Sequence, residues 1–183
     1  PLVTAMGSTA ASGGYYVSTP AQWITAQPGT LTGSIGVLSG KVIAAGLMDK
    51  LLIHRESISR GRHAEFYDTE RPFTEEERKT VREHIERVYD VFLKRVMAAR
   101  SITRQAADNI GGGKVWTGRQ ALEHGLVDEL GGLEAAVAKA RQLGGLPARA
   151  PVRELRELKT QVPPPLAAPI SIIQYTLEGM DML

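Results

Sequence analysis

The chain contains no cysteine, which excludes disulfides, thiolate metal sites and a cysteine nucleophile, and leaves the redox compartment open. It also lacks any apolar run approaching the roughly 20 residues that a membrane-spanning helix requires. Aromatic residues are few, at 5%, and no basic block is interleaved with them, which argues against nucleic-acid binding. An excess of one charge is missing as well. The formal net charge is only +2, and the pI near 9.0 exaggerates it because few groups titrate near neutrality. Pro1 to Met6 is no signal peptide, since no basic region precedes a long apolar run. Without an initiator methionine, and entering at once into an apolar run, the chain is expected to be a piece of a longer protein with any membrane anchor upstream.

What is present suits one domain with a real core: 183 residues, 43% hydrophobic and 23% charged. Leu2 to Met6 reads as a buried strand stopping at Gly7, and a short helix is expected between Ser12-Gly13-Gly14 and Pro20. Trp23 to Ala26 reads as the next strand, Pro28-Gly29 as a turn and Ser34 to Leu38 as a further strand. An amphipathic helix is expected over Lys41 to Leu52, and a weak strand over His54 to Ser59. The alternation favours an α/β domain.

The best-marked element is a helix over Glu75 to Arg100. Thr74 and Glu77 form a T-x-x-E capping box, acidic residues start it and basic ones end it. Val81, Ile85, Val88, Tyr89, Phe92 and Val96 make one apolar stripe, read as core packing or subunit packing. From Gly111 to Gly132 runs a compact module. Gly111-Gly112-Gly113 is a loop, Lys114 to Trp116 is extended, Thr117 with Gln120 caps a helix ending near Gly125, and Leu126-Val127 is a buried dipeptide. Glu134 to Leu143 is the last helix of a body spanning 1–147; residues 148–183 are expected to form an extended, proline-containing tail.

The chemistry is expected at Met6 to Tyr16. Ser12, between a strand and a glycine-led helix, is where a tight turn presents an attacking hydroxyl, and small neighbours let a substrate backbone approach. Amides just after it lack intrahelical acceptors and are free to face an oxyanion, with Gly13 N–H foremost. Close packing or anion binding would also account for such a turn. A serine needs a base, and two options stay open. One is a histidine triad, although His54, His63, His84 and His124 stand in no recognisable triad context. The other is a lysine held neutral by burial, although Lys41, Lys50, Lys79, Lys94, Lys114, Lys139 and Lys159 all read as surface amines.

Met6 to Tyr16, Leu31-Thr32-Gly33-Ser34-Ile35-Gly36-Val37, Val115 to Ala121 and Gly125 to Gly131, in that order and spacing, resemble the signal peptide peptidase A (protease IV) family of serine–lysine peptidases over about residues 1 to 145. The resemblance implies a crotonase/Clp-protease-like βα superhelix, incomplete here at its N-terminus, whose subunits assemble into rings or bowls. It makes Ser12 the nucleophile, Gly13 the oxyanion donor and Ser34 the hydroxyl that orients the lysine amine. The lysine position of short, single-repeat members reads Ala64 in the register Ser59 to Ala64, while a rival register brings Arg60 or Arg62 there. Alanine takes no proton and guanidinium is a poor base. The pattern resembles the C-terminal repeat of long, two-repeat members, in which the N-terminal repeat supplies the lysine.

The function so implied is degradation of cleaved signal peptides and other hydrophobic peptides by a membrane-associated, extracytoplasmic (periplasmic-side) endopeptidase. It implies a homo-oligomer, no metal or organic cofactor, no nucleic acid, and no activity for this chain alone. The alternative is a non-catalytic scaffold or regulatory repeat of the same fold. A crotonase-type acyl-CoA enzyme would leave the serine elbow unexplained.

Overall fold

A computed structural model describes residues 1–155. The chain divides into two units, Pro1–Ala148 and Arg149–Leu183. The tail expected over 148–183 lies, beyond Leu155, outside the described residues, as does Lys159. Residues 149–155 hold no helix or strand.

The first unit is α/β and contains two three-stranded sheets. Its strands are β1 (Val3–Met6), β2 (Thr9–Ala11), β3 (Trp23–Ala26), β4 (Leu31–Gly33), β5 (Val115–Thr117) and β6 (Glu129–Leu130). One sheet runs β1-β3-β6 and is wholly parallel, in register Val3 with Trp23 and Thr25 with Glu129. The other runs β2-β4-β5, with β2 parallel to β4 and β5 antiparallel to it. Each consecutive pair, β1–β2, β3–β4 and β5–β6, gives one strand to each sheet, the winding expected of a βα superhelix. Parallel sheets need covered faces. Ile24 and Ala26 of β3 are accordingly buried, as are the threonines Thr25, Thr30 and Thr32. Their hydroxyls are satisfied by backbone: Thr30 Oγ1 donates to Gly7 O at 2.8 Å and Thr32 Oγ1 to Ala10 O at 2.8 Å.

The helices are α1 (Gly13–Ser18), α2 (Ala45–Lys50), α3 (Glu75–Arg100), α4 (Arg104–Ile110), α5 (Gly118–Glu123) and α6 (Leu133–Leu143). Both expected capping boxes form, Thr74 with Glu77 on α3 and Thr117 with Gln120 on α5. The stripe on α3 is buried toward its C-terminal end, at Phe92 and Val96, and Leu93, outside the stripe, is buried beside them. Leu126 and Val127 are buried at 0% and 1% exposure. Around them Arg100 clasps Asp128 in a bidentate pair (2.7 and 3.0 Å) and donates from Nε to Gly125 O, while Tyr15 donates its hydroxyl to Leu126 O at 2.9 Å. Asp128 also accepts from the amide of Ile24 at 2.7 Å. This cluster locks α1, the end of α3 and β3 together.

Three local expectations change. Residues 34–38 form no strand: β4 ends at Gly33, because Gly33 (φ 74°) and Ser34 (φ 49°) both adopt left-handed backbone. The helix expected over 41–52 shrinks to Ala45–Lys50 and stops before Leu52, whose φ is 55°. It has no buried residue, so its periodic pattern finds no core among the described residues. Residues 54–59 are exposed and unpaired as strand.

Candidate active site

Ser12 stands between β2 and α1, at the N-cap of the helix, with φ 52° and ψ −113°. A non-glycine residue holds such backbone at a strain of about 1–3 kcal/mol, and it persists only when its surroundings enforce it. Here Ser12 N donates to Gly33 O at 2.9 Å, and Ser12 O accepts from Tyr16 N at 2.9 Å. Ordinarily an N-cap serine spends its hydroxyl on the first turn. Ser12 makes no side-chain capping bond, so Oγ remains available. Gly13, in the first helical position, has an amide with no intrahelical acceptor. A Cβ built on Gly13 would meet nothing within 4 Å, so the space beside its Cα is open.

Ser12 and Gly13 open onto a groove of about 810 Å³ that also takes in Ser34, Val37, Tyr89 and Phe92. Its long wall is α3, with Phe92 meeting Tyr16 edge-to-face at 5.2 Å between ring centres. The facing wall is the irregular segment 34–38, pinned by Ser34 N donating to Lys114 O at 2.7 Å. Among the described residues Ser34 Oγ, like Ser12 Oγ, has no hydrogen-bond partner. The structure thus brings Ser12, Gly13 and Ser34 to one groove.

It does not bring Ala64 there. Ala64 lines a separate hollow of about 300 Å³ with Arg55, His63 and Asp68. No described lysine or histidine lines the groove of Ser12. Lys41 donates to Phe66 O and lies over the Phe73 ring, Lys94 pairs with Asp90, Lys114 donates to Asn109 O, and Lys139 covers the Trp23 ring. His124 packs against Trp116 with the rings tilted by 59°. Among the described residues no cluster of three His, Cys, Asp or Glu could hold a metal ion.

Sequence reasoning took Tyr89 and Phe92 as packing residues and Gly112-Gly113 as a plain loop, yet all four line the groove. Burial raises the Tyr89 hydroxyl above its ordinary pKa of 10.0, and its hydrogen bond to Asp108 adds to the shift. It therefore stays protonated, and donating, across the neutral range.

Comparison with known proteins gives the family. The family described as Peptidase family S49 matches residues 1–146. The chain is 35% identical to the chloroplastic serine protease SPPA of Arabidopsis thaliana, over 98% of this chain and 28% of that protein. It is 40% identical to Protease 4 of Salmonella typhi, over 80% of this chain and 24% of that one. The chain thus spans about a quarter of the length of these relatives. Among solved structures, an enoyl-CoA hydratase/isomerase family protein from Hyphomonas neptunium superposes with a TM-score of 0.40 at 18% identity, covering 79% of this chain and 38% of that one. No described helix is long and apolar enough to cross a membrane. With a family match across most of its length and relatives named as signal peptide peptidases and protease 4, the chain belongs to Peptidase family S49, the signal peptide peptidase A group of serine peptidases.

Proposed function

We propose that this chain carries the nucleophile of a serine endopeptidase whose base comes from another repeat or subunit. Ser12 Oγ attacks the scissile carbonyl, an incoming neutral lysine amine takes its proton, and Gly13 N–H faces the oxyanion. The same amine, held by Ser34 Oγ, then returns the proton to the leaving amide nitrogen, and water releases the acyl group by the reverse sequence. This chemistry uses no metal or organic cofactor. Cleaved signal peptides and other hydrophobic peptides suit the groove, whose walls include Val37 and Phe92. The chain would act as the C-terminal repeat of a long, two-repeat member, in a homo-oligomer on the extracytoplasmic face of a membrane.

The observation that carries this reading is the strained backbone of Ser12, whose hydroxyl is free of any capping bond and opens onto the groove. In the full-length protein Ser12→Ala should lower hydrolysis by roughly ten-thousandfold while leaving the fold intact. Undiminished turnover would overturn the assignment.

One observation favours a second reading, a repeat retained as scaffold: no described lysine reaches the groove. A fluorophosphonate probe on the full-length protein separates the two. Labelling at Ser12 supports the peptidase, and persistent silence supports the scaffold.

A further inference from the structure

The wall that carries Ser34 has no strand to hold it, because β4 ends at Gly33. What holds it is the glycine loop after α4. Gly113 N donates to Ile35 O at 2.9 Å, and Lys114 O accepts from Ser34 N at 2.7 Å. The two backbones lie so close that a Cβ on Gly36 would come within 2.7 Å of Gly113 Cα. Gly112 and Gly113 take φ of 63° and 79°, backbone that glycine adopts without strain.

The loop is in turn held by one side chain of α3. Tyr89 Oη accepts from Gly112 N at 3.0 Å and donates to Asp108 Oδ1 at 2.6 Å. The direction of both bonds is fixed, since an amide only donates and the carboxylate accepts. Gly111 is shaped around the same oxygen: a Cβ there would lie 2.8 Å from it. A chain of contacts therefore runs from Asp108 through Tyr89 to Gly112, across the loop to Ile35 and Ser34, and from Gly33 to the amide of Ser12.

We infer that Tyr89 is a positioning residue: its hydroxyl, aimed by Asp108, clamps the Gly112-Gly113 loop and thereby sets where the Ser34–Leu38 wall stands relative to Ser12. The clamp deepens the peptidase reading and rests on it for the meaning of the groove. Tyr89→Phe keeps the ring that lines the groove and removes only the hydroxyl.

The test uses the full-length protein. In Tyr89→Phe, amide exchange at Gly112 to Lys114 and at Ser34 should quicken about tenfold, with Ile24 to Ala26 unchanged. Asp108→Ala should reproduce this, while Asp108→Asn, which keeps an acceptor oxygen, should stay within about threefold of the parent. For an extended peptide substrate KM should rise about tenfold, and fluorophosphonate labelling of Ser12 should slow with it, because the Ser34 that holds the activating amine stands on the loosened wall. Unchanged exchange at the loop, acceleration shared equally by Ile24 to Ala26, or an unaltered KM would each overturn the inference. If the loop loosens as expected but Ser12 is labelled in neither protein, the clamp stands and the peptidase reading is what fails.

Discussion

The amide of Ser12 donates to the carbonyl of Gly33 at 2.9 Å, so the elbow that presents one serine is tied to the residue just before the other, Ser34. Both serines carry left-handed backbone, at φ 52° and 49°, and this shared bond joins the two turns.

The strain at Ser12 is measurable. Ser12→Gly should be more stable than Ser12→Ala by about 1 kcal/mol, because glycine relieves the unfavourable φ and only part of that gain is offset by its freer unfolded chain. Urea denaturation of the two variants checks it. Equal midpoints would mean the turn is unstrained.

Gly118 opens α5 against the end of β3, and a Cβ there would lie 2.0 Å from Gln27 O. The neighbour is backbone and has no rotamer into which it can retreat. Gly118→Ala should therefore destabilise the first unit by about 3 kcal/mol, read as a lowered Tm. Gly29→Ala, where the added carbon meets nothing within 4 Å, serves as the mild control.

Acid should loosen the start of α3. Glu77 accepts two bonds from Arg71 and one from the Thr74 amide, and these hold its carboxyl down from 4.5 to about 2, the Arg71 bond contributing most. A folded-state pKa below the unfolded value means this stabilisation is complete above about pH 4.5 and is lost as pH falls through about 2. A carboxyl titration followed by NMR should place the Glu77 midpoint near 2, and Arg71→Ala should return it toward 4.5. A midpoint already at 4.5 in the parent would refute the clasp.

Restoring a lysine at Ala64 should not awaken this chain. Ala64 shares a hollow with Arg55 and Asp68, apart from the groove that holds Ser12. Ala64→Lys in the isolated chain should thus remain silent to a fluorophosphonate. Labelling at the rate of the full-length protein would show that the amine reaches Ser12 within one chain.

What could be read ahead of the structure was whatever neighbours in sequence decide. Thr74 with Glu77 and Thr117 with Gln120 each close their caps within three residues, and both boxes formed. The turn that presents Ser12 at the head of α1 was legible because its small neighbours and the glycine after it are local too. The strand expected over 34–38 failed for the opposite reason. The fate of Ser34 depends on Lys114 O, supplied from a distant turn. Strands β2 and β4, three residues each, exist only through their mutual register, Thr9 with Leu31 and Ala11 with Gly33. Tyr89 fell on an apolar stripe and was read as packing, since nothing adjacent reveals that its oxygen meets Asp108 and Gly112.

The interleaving of strands has a consequence for how the first unit comes apart. Neither sheet is written as a contiguous stretch: each draws two strands from the first 33 residues and its third from beyond Lys114, some eighty residues later. A protease nick anywhere between Pro28 and Lys114 would leave two pieces, each holding unmatched edges of both layers. Heat should accordingly dissolve the whole body in a single sigmoidal step, with calorimetric and van't Hoff enthalpies in agreement.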